Sequence, residues 1–374
     1  MLPLPGAVSA GAPDAGVAAH YGDPMREQRL LSAGRAFVDL SNYGVIAVTG
    51  TARLSWLDTL SSQRVNQLNV GESAEFLLLD PNGRILHSAA LLDDGSTAYL
   101  VTEGGHRDSL AAFLESMRFM LDVAVHVRDD LVTVGAVRRD PGFATLSELA
   151  SDSESLVGIW NDPWPGVVTG GTRYAFADQH PGELTPFAYL VLEASALDRF
   201  VAAALAAGFV AAGTWALEAL RVAAWRPRLD REVDDKSLPH ELDWLRTAVH
   251  LNKGCYRGQE GVARTFMMGR PPRRLVMLHL DGSEHVTPEV GAAVVLEGRT
   301  VGRITSVARH FELGPVALAV LKRSVPHDVD LQVESREIGV LAASQETIVA
   351  PDGHGEGRPE QRGPLAQGLR RRTI

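Results

Sequence analysis

Residues 253–257, Lys-Gly-Cys-Tyr-Arg, hold the single cysteine of the chain, Cys255, with a cation on either side. Thiolate is the reactive form of cysteine, and nearby positive charge favours it over the thiol. Glycines at 254 and 258 allow the backbone to turn sharply and approach a ligand closely. The run Gln-Glu-Gly-Val-Ala-Arg-Thr after Gly258 can open a helix, which would set Cys255 just ahead of a positive helix end. A thiolate so placed, held ionised by Lys253, serves as nucleophile, metal ligand or redox sensor. In plainer surroundings a lone cysteine is an inert packed residue.

Little other chemistry competes with it. A formal charge of −10 argues against a protein that coats nucleic acid, because phosphate binding needs concentrated positive surface. One cysteine excludes an internal disulfide or a multi-cysteine metal site and fits a reducing cytoplasm. There is no Walker loop, no dinucleotide-binding glycine fingerprint and no HExxH. The 12 histidines show no pair at helical ligand spacing, so no protein-encoded metal site is expected. No apolar run reaches 18 residues, so no membrane span is expected, and the first 24 residues lack the pattern of a signal peptide.

The elements that must position the cysteine read as α+β. Residues 23–35 suggest a short helix closed near Gly34, followed by two strand-like runs over 36–50 and a helix from Thr51. Three strands separated by Pro-Asn-Gly and Asp-Asp-Gly turns follow, then a helix from Arg107 to Met120 and two β-branched runs. The stretch from Asp140 to Gly171 is turn-rich and gives no clear element. Beyond it come a strand near Tyr189, an alanine-rich helix and a second helix from Thr214 to Trp225. After Gly-Arg-Pro-Pro-Arg-Arg, five short strands without a helix suggest a small antiparallel barrel. The expected organisation is a flexible arm over 1–20, a body over 21–270 made of two subdomains, a β-barrel over 271–350 and a disordered tail over 351–374.

The octapeptide Lys-Gly-Cys-Tyr-Arg-Gly-Gln-Glu resembles the K-G-C-Y-x-G-Q-E signature of the YgfZ family, relatives of the glycine cleavage T-protein (aminomethyltransferase). Support is spread along the chain. Residues 48–68 resemble the T-protein strand V-x-G-x-D-A and its helix, and residues 75–91 its hairpin. Residues 219–242 are similar to its L-R-x-E-A-G…P-x-E segment, and residues 301–323 to its barrel repeat. The resemblance implies a T-protein-like fold: a ring of α+β subdomains around a central channel that binds tetrahydrofolate, plus the C-terminal antiparallel β-barrel.

By that resemblance Arg221 matches the folate-contacting arginine, or else it covers apolar surface while pairing with Glu218. Glu241 matches the glutamate of P-x-E, and Glu183 corresponds to a second pterin-pocket glutamate or to core or surface. Tyr43 offers a stacking ring or a core aromatic. Tyr256 and Arg257 join the folate candidates from the signature itself. Where T-proteins carry an aspartate pair, this chain has His87 and Ser88. The function implied is a tetrahydrofolate-binding accessory protein for iron–sulfur cluster assembly or repair, with Cys255 and Lys253 as the reactive pair. Its partners would be folate and cluster enzymes, including tRNA-modifying ones, without direct nucleic-acid contact. One thiol alone cannot hold a cluster, so any such contact must be shared with a partner. The alternatives are folate-dependent one-carbon transfer or demethylation with His87 as base, and a ligand sensor without chemistry.

Overall fold

The computed structural model describes residues 2–358, apart from Phe176, Asp178 and residues 283–285. Two mixed sheet-and-helix layers and a closed barrel surround a common centre. The first sheet is antiparallel throughout, in the order Ser73–Leu79, Ile85–Asp93, Thr97–Thr102, Gly44–Thr49, Ala124–Val127. Because side chains alternate along a strand, Phe76 and Leu78 point to one face, where Trp56 and Leu57 of helix Arg53–Leu60 and Leu110 and Leu114 of helix Arg107–Ser116 cover them. Glu75, Leu77 and Leu79 point the other way, toward the centre.

The second sheet runs Leu156–Asn161, Phe187–Glu193, Leu131–Val137, Ala36–Asp39, Val210–Ala212, and only its last pair is parallel. Helices Gly142–Asp152 and Leu197–Ala206 pack on it through Leu146, Ala150, Phe200 and Ala204. This helix Gly142–Asp152 and strand Leu156–Asn161 fill the stretch that read only as turns. The barrel takes Arg273–Leu280, Gly314–Lys322, Arg299–His310, Ala293–Leu296, Leu331–Ser335 and Gly339–Thr347, and the last strand closes back on the first. The five expected strands are present, and a sixth completes the barrel.

Both ends differ from expectation. Residues 2–20, read as a flexible arm, pack on the body. Leu2 sits in the second sheet's core, and strands Val8–Ser9 and Ala18–His20 pair with each other. Asp14 is buried in an ion pair with Arg228, 214 residues away. A carboxylate leaves water only for a fixed counter-charge, and this one fastens a segment whose composition reads as disordered. Of the expected tail, residues 351–358 lie against Thr172–Tyr174 and Met267; residues 359–374 lie outside the described residues.

Helix Thr214–Ala223 crosses the centre with all but one or two of its side chains buried. It ends in a Schellman turn: the Trp225 amide donates to the Val222 carbonyl and the Arg226 amide to the Arg221 carbonyl. The left-handed residue of that turn is Trp225, at φ +59°. The turn folds the next residues back beneath the helix, and Pro227 keeps Arg226 extended. Arg226 and Arg228 therefore return to the level of Arg221.

Candidate functional site

Where the two sheets meet helix Thr214–Ala223, a pocket of about 690 Å³, counting its open mouth, is walled by Tyr43, Trp160, Tyr189, Phe187 and Trp244. Trp160 and Tyr189 stack at 4.9 Å, and Tyr43 stands edge-on to Tyr189 at 5.9 Å. Burial pushes the Tyr43 hydroxyl well above its ordinary range, so it stays protonated and available as a donor. The sequence-derived candidates brought together here are Tyr43 and Arg221.

Three arginines and six carboxylates organise the walls. Arg221 donates to both oxygens of Glu218 at 2.8 Å, to Glu232 at 3.0 Å, to the Ser306 hydroxyl and to the Arg226 carbonyl. Arg228 forks onto Asp14 and also reaches Glu103 at 2.8 Å and Glu218 at 3.0 Å. Arg226 lies 2.7 Å from Glu75 and 3.0 Å from Asp162, between the rings of Trp164 and Trp244. Its Nη1 is buried and has no acceptor among the described residues. Burial raises Asp162 and Glu103 even though Arg226 and Arg228 pull them down. Glu218, for which burial is outweighed by Arg221 and Arg228, is held well below the usual carboxylate range. The pocket is thus rich in acceptors, aromatic on its flanks, and carries one unsatisfied guanidinium N–H.

Of the two residues standing where the T-protein pattern has aspartates, Ser88 lines the pocket. His87 is one residue out of phase and faces the helices. Its ring lies 6.4 Å from Phe113 and 6.1 Å from His106, and burial lowers its pKa to about 4. His87 therefore stands on the wrong face to replace a carboxylate base in the pocket.

The signature loop lies elsewhere. Cys255 is exposed, as a reactive thiol must be, and does not line the central pocket. Lys253 is not directed to the thiol: its ammonium donates to the carbonyls of Asp58, Ser61 and Gln63 and lies 3.2 Å from the Asp58 carboxylate. Burial lowers its pKa. It clamps the loop to helix Arg53–Leu60. Gly258 does bring the backbone close, at φ +84°, but what it approaches is the hairpin at Leu79–Gly83; a Cβ there would stand 2.5 Å from the Asp80 carbonyl. Helix Gln259–Met267 starts at that glycine, so Cys255 lies one short turn ahead of it.

Tyr256 is packed in the core beneath the barrel, its ring 5.6 Å from the Lys253 ammonium. Arg257 lies over the Phe113 ring at 5.6 Å on the surface. Glu241 is fully buried but pairs with Arg273 at 2.8 Å, tying the body to the first barrel strand. Glu183 is exposed in the short turn Pro181–Leu184. None of these four lines the central pocket. Conversely, sequence reasoning missed Glu75, Trp160, Asp162, Tyr189, Arg226 and Arg228. The signal that could have found the two arginines is Trp-Arg-Pro-Arg, which directly follows the helix of Arg221. Among the described residues, no three His, Cys, Asp or Glu side chains are grouped as a metal ion requires, and no helix is long and apolar enough to cross a membrane.

No family model matches the chain. It is similar to a chloroplastic protein of Arabidopsis thaliana named as a transferase, with 25% identity over 75% of this chain and 65% of that protein, just under two thirds of its length. It is 26% identical to the aminomethyltransferase of Rippkaea orientalis over 80% of this chain and 81% of that one. It is 21% identical to the tRNA-modifying protein YgfZ of Colwellia psychrerythraea over 65% of this chain and 71% of the other. The glycine cleavage system aminomethyltransferase T of Bartonella henselae superposes with a TM-score of 0.71 over 92% of this chain and 93% of that chain, at 19% identity. The fold is that of aminomethyltransferase T.

Proposed function

We propose that the central pocket binds a reduced pterin, as tetrahydrofolate or a derivative, and that the chain acts as an accessory protein in iron–sulfur cluster assembly or repair through the exposed thiol of Cys255. The observation that carries the ligand is the unsatisfied Arg226 Nη1 among surplus carboxylates between aromatic walls. A pterin is flat, presents ring N–H groups and an exocyclic amine to carboxylates, and offers one carbonyl oxygen to a donor. Arg226 would take that oxygen, Glu75 or Asp162 the adjacent N–H groups, and Tyr43 with Tyr189 a ring face. Bound there, tetrahydrofolate would supply a nitrogen able to carry one-carbon units.

The similarity to YgfZ and to aminomethyltransferases supports the folate reading. The accessory role draws on the signature around Cys255 and on Ser88 standing in the pocket where the T-protein pattern has a carboxylate. Client enzymes holding clusters, tRNA-modifying ones among them, would meet the thiol on the surface rather than in the pocket, in a reducing cytoplasm. The test pairs two variants. Arg226→Met should lose tetrahydrofolate binding by calorimetry. Cys255→Ala should keep that binding yet fail to restore cluster-enzyme activity in a strain lacking the gene. Full restoration by Cys255→Ala refutes the accessory role, and unchanged binding by Arg226→Met refutes the ligand's placement.

A further inference from the structure

A second cleft, about 1040 Å³ counting its open side, separates the body from the barrel. Leu220 and Trp225 form its wall on the body, and Met277 and Leu313 face them from the barrel. The Trp225 side chain is buried, at 3% exposure, yet its indole N–H has no acceptor among the described residues. Buried donors in native proteins are nearly always paired, so an orphan calls for a missing partner. The backbone sharpens the point. Trp225 holds the left-handed position of a Schellman turn, where glycine is the default and a bulky side chain is strained. It stands where the L-R-x-E-A-G pattern puts glycine. The chain accepts an unfavourable conformation to keep an indole there.

Two more donors face the same space. His310 accepts the Glu312 and Leu313 amides at Nδ1, both at 3.2 Å, which leaves the proton on Nε2, without a partner among the described residues. Burial lowers the His310 pKa, so the ring is neutral near pH 7. Arg139 at the rim binds the Ser32 and Leu184 carbonyls through Nε and Nη2, and its Nη1 has no partner among the described residues. Of the two carboxylates on the cleft, Glu346 is engaged by His279 at 2.9 Å and Glu312 is exposed.

We infer that this cleft is a binding site for an apolar carboxylate, a small aliphatic or aryl acid, separate from the central pocket. The carboxylate accepts from the Trp225 indole, His310 Nε2 and Arg139, and the apolar body lies between Leu220, Met277 and Leu313. Only an acceptor-bearing head satisfies the donors, and the guanidinium selects an anion over a neutral carbonyl. The site stands whether or not the central pocket takes a folate.

Octanoate is the probe and octanol its neutral counterpart. In nitrogen-15-labelled protein the six tryptophans give six indole signals, and Trp225→Phe identifies one by its loss. Octanoate should shift that signal, and octanol should bind at least about tenfold more weakly, the worth of a charge-assisted hydrogen bond. Arg139→Met, a rim change that spares the core, should weaken octanoate about tenfold and leave octanol unchanged. An unmoved Trp225 signal at octanoate concentrations short of micelle formation overturns the inference. So does equal binding of octanol and octanoate, or an Arg139→Met protein that binds octanoate as the wild type does.

Discussion

Arg226→Met tests the ion network and the pocket together. The Arg226 side chain is 12% exposed, and its partners Glu75 and Asp162 are 4% and 5% exposed. Removing one member of a buried pair leaves a charge without compensation and costs about 3–5 kcal/mol. Here two carboxylates lose one cation, though Asp162 keeps the Trp164 amide and Glu75 keeps the Trp244 indole and the Thr247 hydroxyl. The expected loss at pH 7 is therefore near the upper end, about 5 kcal/mol. It should depend on pH in a defined direction. Burial already raises Asp162 above an ordinary aspartate, and Arg226 is the chief opposing charge, so the variant raises it further. A carboxyl whose folded pKa exceeds its unfolded value of about 3.9 binds its proton more tightly in the folded state. Stability then falls as pH rises through the window between the two values, and the deficit of the variant is largest above it and shrinks toward pH 5.

Urea unfolding followed by tryptophan fluorescence at pH 5, 6, 7 and 8 reads this directly, because Trp164 and Trp244 flank the guanidinium. Adding Glu75→Gln and Asp162→Asn to Arg226→Met removes the uncompensated charges and should restore most of the lost stability. The triple variant also separates fold from ligand. It should stay folded and still bind tetrahydrofolate about 10- to 150-fold more weakly, the value of one hydrogen bond from a charged donor. A pH-independent deficit, or a triple variant no more stable than the single one, refutes the charge network. Wild-type affinity in the triple variant refutes Arg226 as a ligand donor.

Lys253→Met should cost about 3 kcal/mol, since three carbonyls and Asp58 lose a buried cation, while the rate at which native Cys255 reacts with iodoacetamide stays as in the wild type; thermal melts and labelling at pH 7 check both halves. Asp14→Asn should loosen the N-terminal segment from Arg228, lower stability by about 2–4 kcal/mol and open residues 1–20 to limited proteolysis, which mass spectrometry locates. Asp243, buried beside Arg246, is pushed by burial to about 6, so stability is lost as pH rises from its unfolded value of about 3.9 through 6 and levels off above. Asp243→Asn should therefore gain on the wild type as pH rises from 5 to 8, by about 1.4 kcal/mol in unfolding measurements.

What was legible in the sequence follows a physical division. Helix Pro24–Ser32, the hairpin at Asp80–Arg84 and the barrel strands are specified by neighbours in sequence: Asp23 caps the helix, Gly83 takes φ +83° in the turn, and apolar residues recur with the right period. Helix Gly142–Asp152 escaped because only Leu146 and Ala150 of its 11 residues are buried, too thin a stripe to stand out among serines. The N-terminal segment escaped because contacts distant in sequence order it, Leu2 in the core of the second sheet and Asp14 on Arg228. The same division runs through the site. Tyr43 and Arg221 were found by their place in a pattern, whereas Glu241 and Lys253, equally prominent there, hold structure. A pattern marks a position that matters without saying whether the side chain faces a ligand or a neighbouring strand. Arg226 differs from them in lining the pocket and in its unsatisfied nitrogen, neither of which a sequence displays.

The separation of thiol and pocket shapes what the protein can do. Ser88 lines the pocket where the T-protein pattern has a carboxylate, and His87 and Cys255 both lie outside it. The two are nevertheless mechanically joined. The strands that carry Glu75 and Ser88 into the pocket run out to the hairpin at Asp80–Arg84, against which Gly258 is seated without room for a Cβ. Lys253 pins the other side of the same loop to helix Arg53–Leu60, which packs on that sheet. Cys255 thus sits between two anchors on one rigid unit, and the far end of that unit forms the ligand wall. The packed backbone between them is a path by which the proposed ligand, in contact with Glu75 and Ser88, would bear on the loop of the thiol. On the proposed function, pterin occupancy would govern how the surface thiol is presented to a partner, since the thiol does not line the pocket and is not placed to attack the pterin itself.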